Sequence, residues 1–416
     1  MVKKSTIVFN ALLLLLITAT IPYFAYGVTA IRTGYEVVGG LNTSGAVSGG
    51  IIGTRFSHFK DVIATVLFLY LFIINKKKKY LGSILGVFLY GLIALVISGR
   101  IQMGFLIAGF RTFLFFLTML LFFESYGYLF HDRKKLRAVY YITQIVIILQ
   151  TVIVAFQISM SNSWFRFGSG AYRYSGLFPG SGNLGCYAIA ALLTLMIMSQ
   201  KYKVFSDKVF IIDGIFCCFL SVASGTRTCI ILSVICFVYS LFINYGDALH
   251  FNKSVIIFLL LFFAIFIGYG LINSIISRIG RGDLMASGEG RIRLFLDMFN
   301  SSSGFELLFG RGLGVGTNAS ISMGLSGTQV SDSTINLLFT QFGMVGLLIF
   351  VGALVHFTLK IYCCSKQYRY LGICMIGTIW VMFLVGNLFE HIGMSIYFSI
   401  GYFLLLEKFE ITPKVI

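Results

Sequence analysis

Long apolar runs separated by short polar joints cover most of this chain. The pattern predicts helices over about residues 6–26, 58–75, 80–98, 103–123, 138–158, 183–200, 209–224, 229–245, 255–273, 334–359, 371–389 and 393–406. Most of these runs approach the roughly 20 residues that a helix needs to cross a bilayer. The short alternating segments of a membrane β-barrel do not occur. The expected fold is therefore all-α, a polytopic integral membrane protein of about twelve transmembrane helices, with residues 1–416 forming a single transmembrane domain. The one large interruption is residues 274–333, a glycine- and arginine-rich stretch. Loops of that length in a compact fold are commonly functional.

Composition agrees: 58% of the 416 residues are hydrophobic and 11% charged, with three prolines. The eight cysteines fall in the apolar runs or short joints with no metal-binding spacing, and are read as small apolar residues. The N-terminal apolar run is followed by no small-residue cleavage site and reads as an uncleaved first helix.

Charge then sets an orientation. An even number of spans puts both termini on one side. That side holds 19 of the 32 basic residues, 16 lysines and three arginines, as expected for a cytoplasmic face. The other side, with the span ends facing it, holds 12 arginines and Lys60. Topology requires only positive charge, so a preference for guanidinium needs another reason. A planar fork that grips phosphate or carboxylate in two places supplies one. Pairing with lipid headgroups and acidic side chains is the alternative.

Candidate chemistry lies on the arginine-rich side. Arg111 falls inside the fourth span, about 12 Å from its outer end at 1.5 Å per residue. It needs a structural ion pair or a ligand, and Asp213, near the opposite end of its span, is a doubtful partner. In GAYRYSGLFPGSGN, Arg173 stands between Tyr172 and Tyr174, which could stack on sugar rings, just before a helix start that could hold an anion. The turn ASGTRT places Arg227 between two spans, either facing a cavity or snorkelling to the interface. Within the long loop, GEGRIRLFLDMF predicts a short helix from near Gly290, with Arg291, Phe295 and Phe299 on related faces, Arg293 pointing elsewhere and Glu289 beside Arg291. The run GRGLGVGTNA follows, containing Arg311. Its glycines are expected to let backbone approach a bulky ligand; a dinucleotide site is rejected for want of a βα pattern. Asp332 opens the tenth span, where it either caps the helix or acts chemically. The histidines, His391 among them, are scattered, and neither metal-ligand spacing nor a nucleophile triad is present in the sequence.

The order of these features resembles the O-antigen polymerase and O-antigen ligase superfamily. They are an arginine in RYSGLF, the small-residue turn SGTR, an arginine opening the long loop, a G-x-G-x-G run, and the QFGMVG turn in the next span. The resemblance covers roughly Arg173 to Leu348. It implies a membrane glycosyltransferase that moves undecaprenyl-diphosphate-linked oligosaccharide on the outer face of the bacterial cytoplasmic membrane. Metal, cofactor and nucleic acid are not expected. A chain-length-determining protein and a flippase are possible partners. Carried onto this sequence, Arg173, Arg227 and Arg291 would bind the diphosphate. Asp332 stands where the ligases have a histidine, so the likeness is closer to a polymerase. The base for an inverting transfer is expected to be Asp332, with Glu289 in reserve. A ligase, and a flippase or exporter of lipid-linked glycans, are the alternatives.

Overall fold

The computed structural model describes residues 2–21, 51–74, 80–159, 166–167, 171–178, 180–245, 295–325, 333–363 and 368–407. The chain there is all-α apart from one short strand pair. The helices are α1 Val2–Thr20, α2 Ile51–Ile74, α3 Leu81–Ile97, α4 Met103–Tyr126, α5 Arg133–Ser159, α6 Ser181–Gln200, α7 Asp207–Ser224, α8 Arg227–Tyr245, α9 Gly304–Phe309, α10 Asn318–Ser322, α11 Thr334–Tyr362, α12 Arg369–Val385 and α13 Ile392–Leu406. The strands β1 (Arg166–Phe167) and β2 (Ala171–Tyr172) pair antiparallel.

Among the described residues, four stretches are long and apolar enough to cross a membrane: Met103–His131, Arg133–Ser159, Ser181–Gln200 and Thr334–Tyr362. Shorter apolar helices occupy Lys4–Thr20, Leu81–Ile97, Arg227–Ile243, Arg369–Val385 and Ile392–Leu406. The span expected over 255–273 lies outside the described residues, as do the ends of the long loop.

Helix α6 is apolar on every face and is correspondingly central. Every residue from Leu184 to Gln200 is buried. It packs chiefly against α7 and α13. Thr194 donates to the Tyr397 carbonyl at 2.9 Å, joining α6 to α13. At one end of the bundle, Lys201 donates to the carbonyls of Leu404 (2.7 Å) and Leu405 (2.8 Å), and Arg133 to that of Lys203 (2.8 Å). This is the lysine-bearing end. The opposite end gathers the starts of α6, α8, α11 and α13 and the finish of α7 and α12.

Two sequence expectations change here. Helix α2 begins at Ile51, seven residues before the start expected at 58, so Arg55 joins His58, Lys60 and Asp61 in the helix. Arg111 pairs with Asp61 at 3.1 Å. Asp213 instead accepts from Tyr140 at 3.2 Å and Gln144 at 3.3 Å. Lys60, 3% exposed, also reaches Asp61 at 3.2 Å, so one carboxylate serves two cations inside the bundle. Asp61→Asn is expected to destabilise the protein by about 2–3 kcal/mol, because it removes the negative charge shared by the buried Lys60 and by Arg111. Thermal unfolding in detergent measures it.

The glycine-rich run forms a wedge. Gly310, Gly312, Gly314 and Gly316 all have positive φ, from 77° to 103°. Every second residue thus takes a conformation that side-chain-bearing residues avoid. The folded-back segment inserts between α3, α4 and α11. Leu313 at its tip is 3% exposed, and its N–H donates to the Gly91 carbonyl at 3.1 Å. The glycines therefore admit the backbones of neighbouring helices, and the expectation of a ligand cradle is corrected.

Helix α11 is broken where the wedge arrives, at Gly343 (φ 63°, ψ −165°). A break frees the carbonyls of the preceding turn, which need new donors in a membrane interior. Arg311 N–H donates to Thr340 O at 2.8 Å and Gly312 N–H to Gln341 O at 3.1 Å. The Tyr90 hydroxyl donates to Phe342 O at 3.0 Å. Non-helical backbone is tolerated here because protein groups satisfy it.

Candidate functional site

The loop before α6 is held by two glutamines of α5. Gln157 brackets Gly176, accepting from its N–H and donating to its carbonyl, both at 3.0 Å. Gln150 accepts from Leu177 N–H at 2.9 Å and donates to Thr20 O at 2.9 Å. So fixed, the loop lies on the end of α7, where Tyr174 N–H donates to Ala223 O at 2.9 Å. Helix α7 stops at Gly225 in the left-handed conformation (φ 63°). The Arg173 side chain crosses this glycine so closely that a Cβ there would stand 2.7 Å from Arg173 Cγ. Arg227 opens α8 two residues later. Two arginines 54 positions apart, each singled out in the sequence, are thereby placed on one turn.

The start of α6 adjoins this turn, and the start of α13 packs on α6 and on the loop that carries Arg173. Gly185 of α6 faces Ser224 and Cys229, and Gly393 of α13 faces Tyr187 and Phe178. Asn183, in the first turn of α6, shares a hydrogen bond through Oδ1 with Nδ1 of His391, immediately before α13. Burial lowers the His391 pKa to about 4, so the ring is neutral at neutral pH. The adjacent Glu390 is engaged differently. Its carboxylate accepts from Asn318 N–H at 2.8 Å, from the Asn318 amide and from Asn387 Nδ2 at 2.9 Å. These bonds tie α10 of the long loop to the α12–α13 joint. Thr334 ties α11 to the same joint, donating to Gly386 O at 2.8 Å and accepting from Leu388 N–H at 2.9 Å.

The other expected residues divide. Tyr174 is half-buried against the core. Tyr172 belongs to β2, but its side chain is outside the described set. Asp332, Glu289, Arg291 and Arg293 lie outside the described residues. Residues 295–301 are helical as expected, with Phe295 and Phe299 packed on Phe339 at ring distances of 4.9 and 6.5 Å. Arg311, expected to bind the diphosphate, is engaged within the protein. It donates to Ser301 (2.8 Å) and Ser302 (3.0 Å) and pairs with Glu306 (3.7 Å), which also takes Arg100 (3.6 Å). It secures the wedge at the α3–α11 side, and Arg111 is likewise committed to Asp61.

Sequence reasoning passed over Asn183, Glu390 and His391 as site residues. The signal available was NLFEHIG, a carboxylate and an imidazole together in a short joint on the arginine-rich side. What these groups can do chemically is hold an anion on Arg173 and Arg227 and accept a proton on the His391 imidazole. The chain matches no protein-family model, and no curated protein or solved structure is significantly similar to it.

Proposed function

We propose that this protein is a polysaccharide polymerase of the bacterial cytoplasmic membrane. It spans the bilayer twelve times with both termini in the cytoplasm. On the outer face it transfers oligosaccharide repeats carried on undecaprenyl diphosphate to a growing O-antigen, capsule or exopolysaccharide. The observation that carries this reading is Arg173 seated over Gly225, beside the turn that begins α8 at Arg227. Departure of a diphosphate from an anomeric carbon leaves charge that fixed guanidinium groups stabilise without reorganising. Arg291 and Arg293 of the long loop would complete that anion site.

The test is a gel of surface and lipid-linked glycans from a host strain lacking the gene, complemented with the wild-type protein or with Arg173→Ala. Wild type is expected to restore a ladder of repeats, with single-repeat products in the deletion strain and in the variant. Long lipid-linked chains that never reach a final acceptor would identify a ligase. Single repeats trapped on the cytoplasmic side would identify a flippase.

A further inference from the structure

We propose that His391 is the proton acceptor for the attacking sugar hydroxyl and that Asn183 orients it. This rests on the polymerase reading and replaces Asp332 and Glu289 as the base.

The tautomer follows from the partner. A carboxamide oxygen can only accept, so the bond to Asn183 Oδ1 puts the ring proton on Nδ1 and leaves the lone pair on Nε2. The ring is neutral near pH 7 and partly exposed, so that lone pair is available. Glu390, the neighbouring carboxylate, is unsuited to the role. Its oxygens accept from Asn318 and Asn387 and are occupied in tying α10 to the α12–α13 joint.

Placement agrees. Asn183 stands on the helix whose Gly185 lies against Ser224 and Cys229, flanking the turn that carries Arg227. His391 precedes the helix whose Gly393 lies against Phe178, in the loop that carries Arg173. The segments that carry His391, Arg173 and Arg227 thus pack on one another around the start of α6.

In the step itself, the hydroxyl oxygen bonds to the anomeric carbon and its proton passes to Nε2. The bond from that carbon to the diphosphate oxygen breaks, with its electron pair leaving on the diphosphate facing Arg173 and Arg227. The imidazolium that forms sits near the bound diphosphate, whose negative charge favours the protonated ring and makes the histidine a stronger base when substrate is present.

The experiment uses membranes holding the full-length protein and, as substrate, the lipid-linked glycans extracted from the deletion strain; it reads the rate of ladder formation. His391→Ala is expected to lower that rate about 100-fold or more, the usual contribution of a general base, with partial recovery on adding imidazole. His391→Gln, which keeps the size and a donor for Asn183, is expected to be equally slow at wild-type abundance. Asn183→Ala is expected to slow the reaction about tenfold, and to add nothing to His391→Ala in the double variant, as for residues acting through one group. An active wild type with His391→Ala at a similar rate would overturn the assignment and leave the polymerase reading standing. Inactive but abundant His391 variants that imidazole does not restore would assign the residue a structural role. Failure of wild-type membranes to extend the extracted glycans would overturn the polymerase reading, and this assignment with it.

Discussion

Gly314→Ala is expected to leave almost no folded protein in the membrane. At φ 84° the residue sits where a side chain is strained in any surroundings, at about 1–2 kcal/mol. The surroundings add more. A Cβ there would overlap the Phe105 carbonyl oxygen and stand 2.8 Å from Gly109 N, both of them backbone atoms of α4 that no rotamer change can move. Overpacking of this kind costs a further 1–3 kcal/mol or so, and it strikes the segment whose N–H groups serve the broken turn of α11. Gly82 and Gly86 of α3 supply the control, because a Cβ at either meets nothing within 4 Å. Alanine there is expected to be neutral or to stabilise by up to about 1 kcal/mol. The yield of monodisperse protein in detergent and its unfolding temperature decide between them. Gly314→Ala purifying at wild-type yield would mean that the wedge is not required.

The second large effect is chemical. Arg227→Lys is expected to abolish chain extension, by about 100-fold or more, while the protein accumulates normally. The substitution keeps the positive charge, so any role in topology or lipid attraction is preserved. What is lost is the planar fork that holds two phosphate oxygens at once. Arg173→Lys is expected to behave alike, and the double variant to be little worse than either single, if both arginines serve one leaving group as proposed. Near-normal ladders from Arg227→Lys would show that charge alone suffices there.

The helices were legible because apolar length fixes them. From α3 to α8 their ends fall within about five residues of those read from the sequence. The start of helix α2 was placed seven residues late because the Gly-, Ser- and Thr-rich run before it, with Arg55 at its end, carries no sustained apolar pattern. The arginine turn was half legible. Residues 173 and 227 could be assigned to one side of a membrane, but only Gln150, Gln157 and Gly225 bring them onto one turn. The wedge was misread for a physical reason: alternate glycines signal close backbone approach without saying to what. Leu95, Phe105 and Gln341, the backbones approached, lie in three separate apolar runs. His391 was not legible as a site residue because Asn183, which sets its tautomer, is 208 positions away.

The union of Tyr90 with Phe342 spans 252 positions, and that has a consequence for how the protein is made. Helices α3 and α4 leave the ribosome well before residues 310–343 are made, so the groove that receives Leu313 stays empty until the wedge and α11 have followed. For that interval Gly91 and Gly109 face lipid. Contacts of such separation form late and slowly. Nascent chains stopped before residue 343 are therefore expected to hold their early helices in the bilayer with the arginine turn assembled and the wedge undocked.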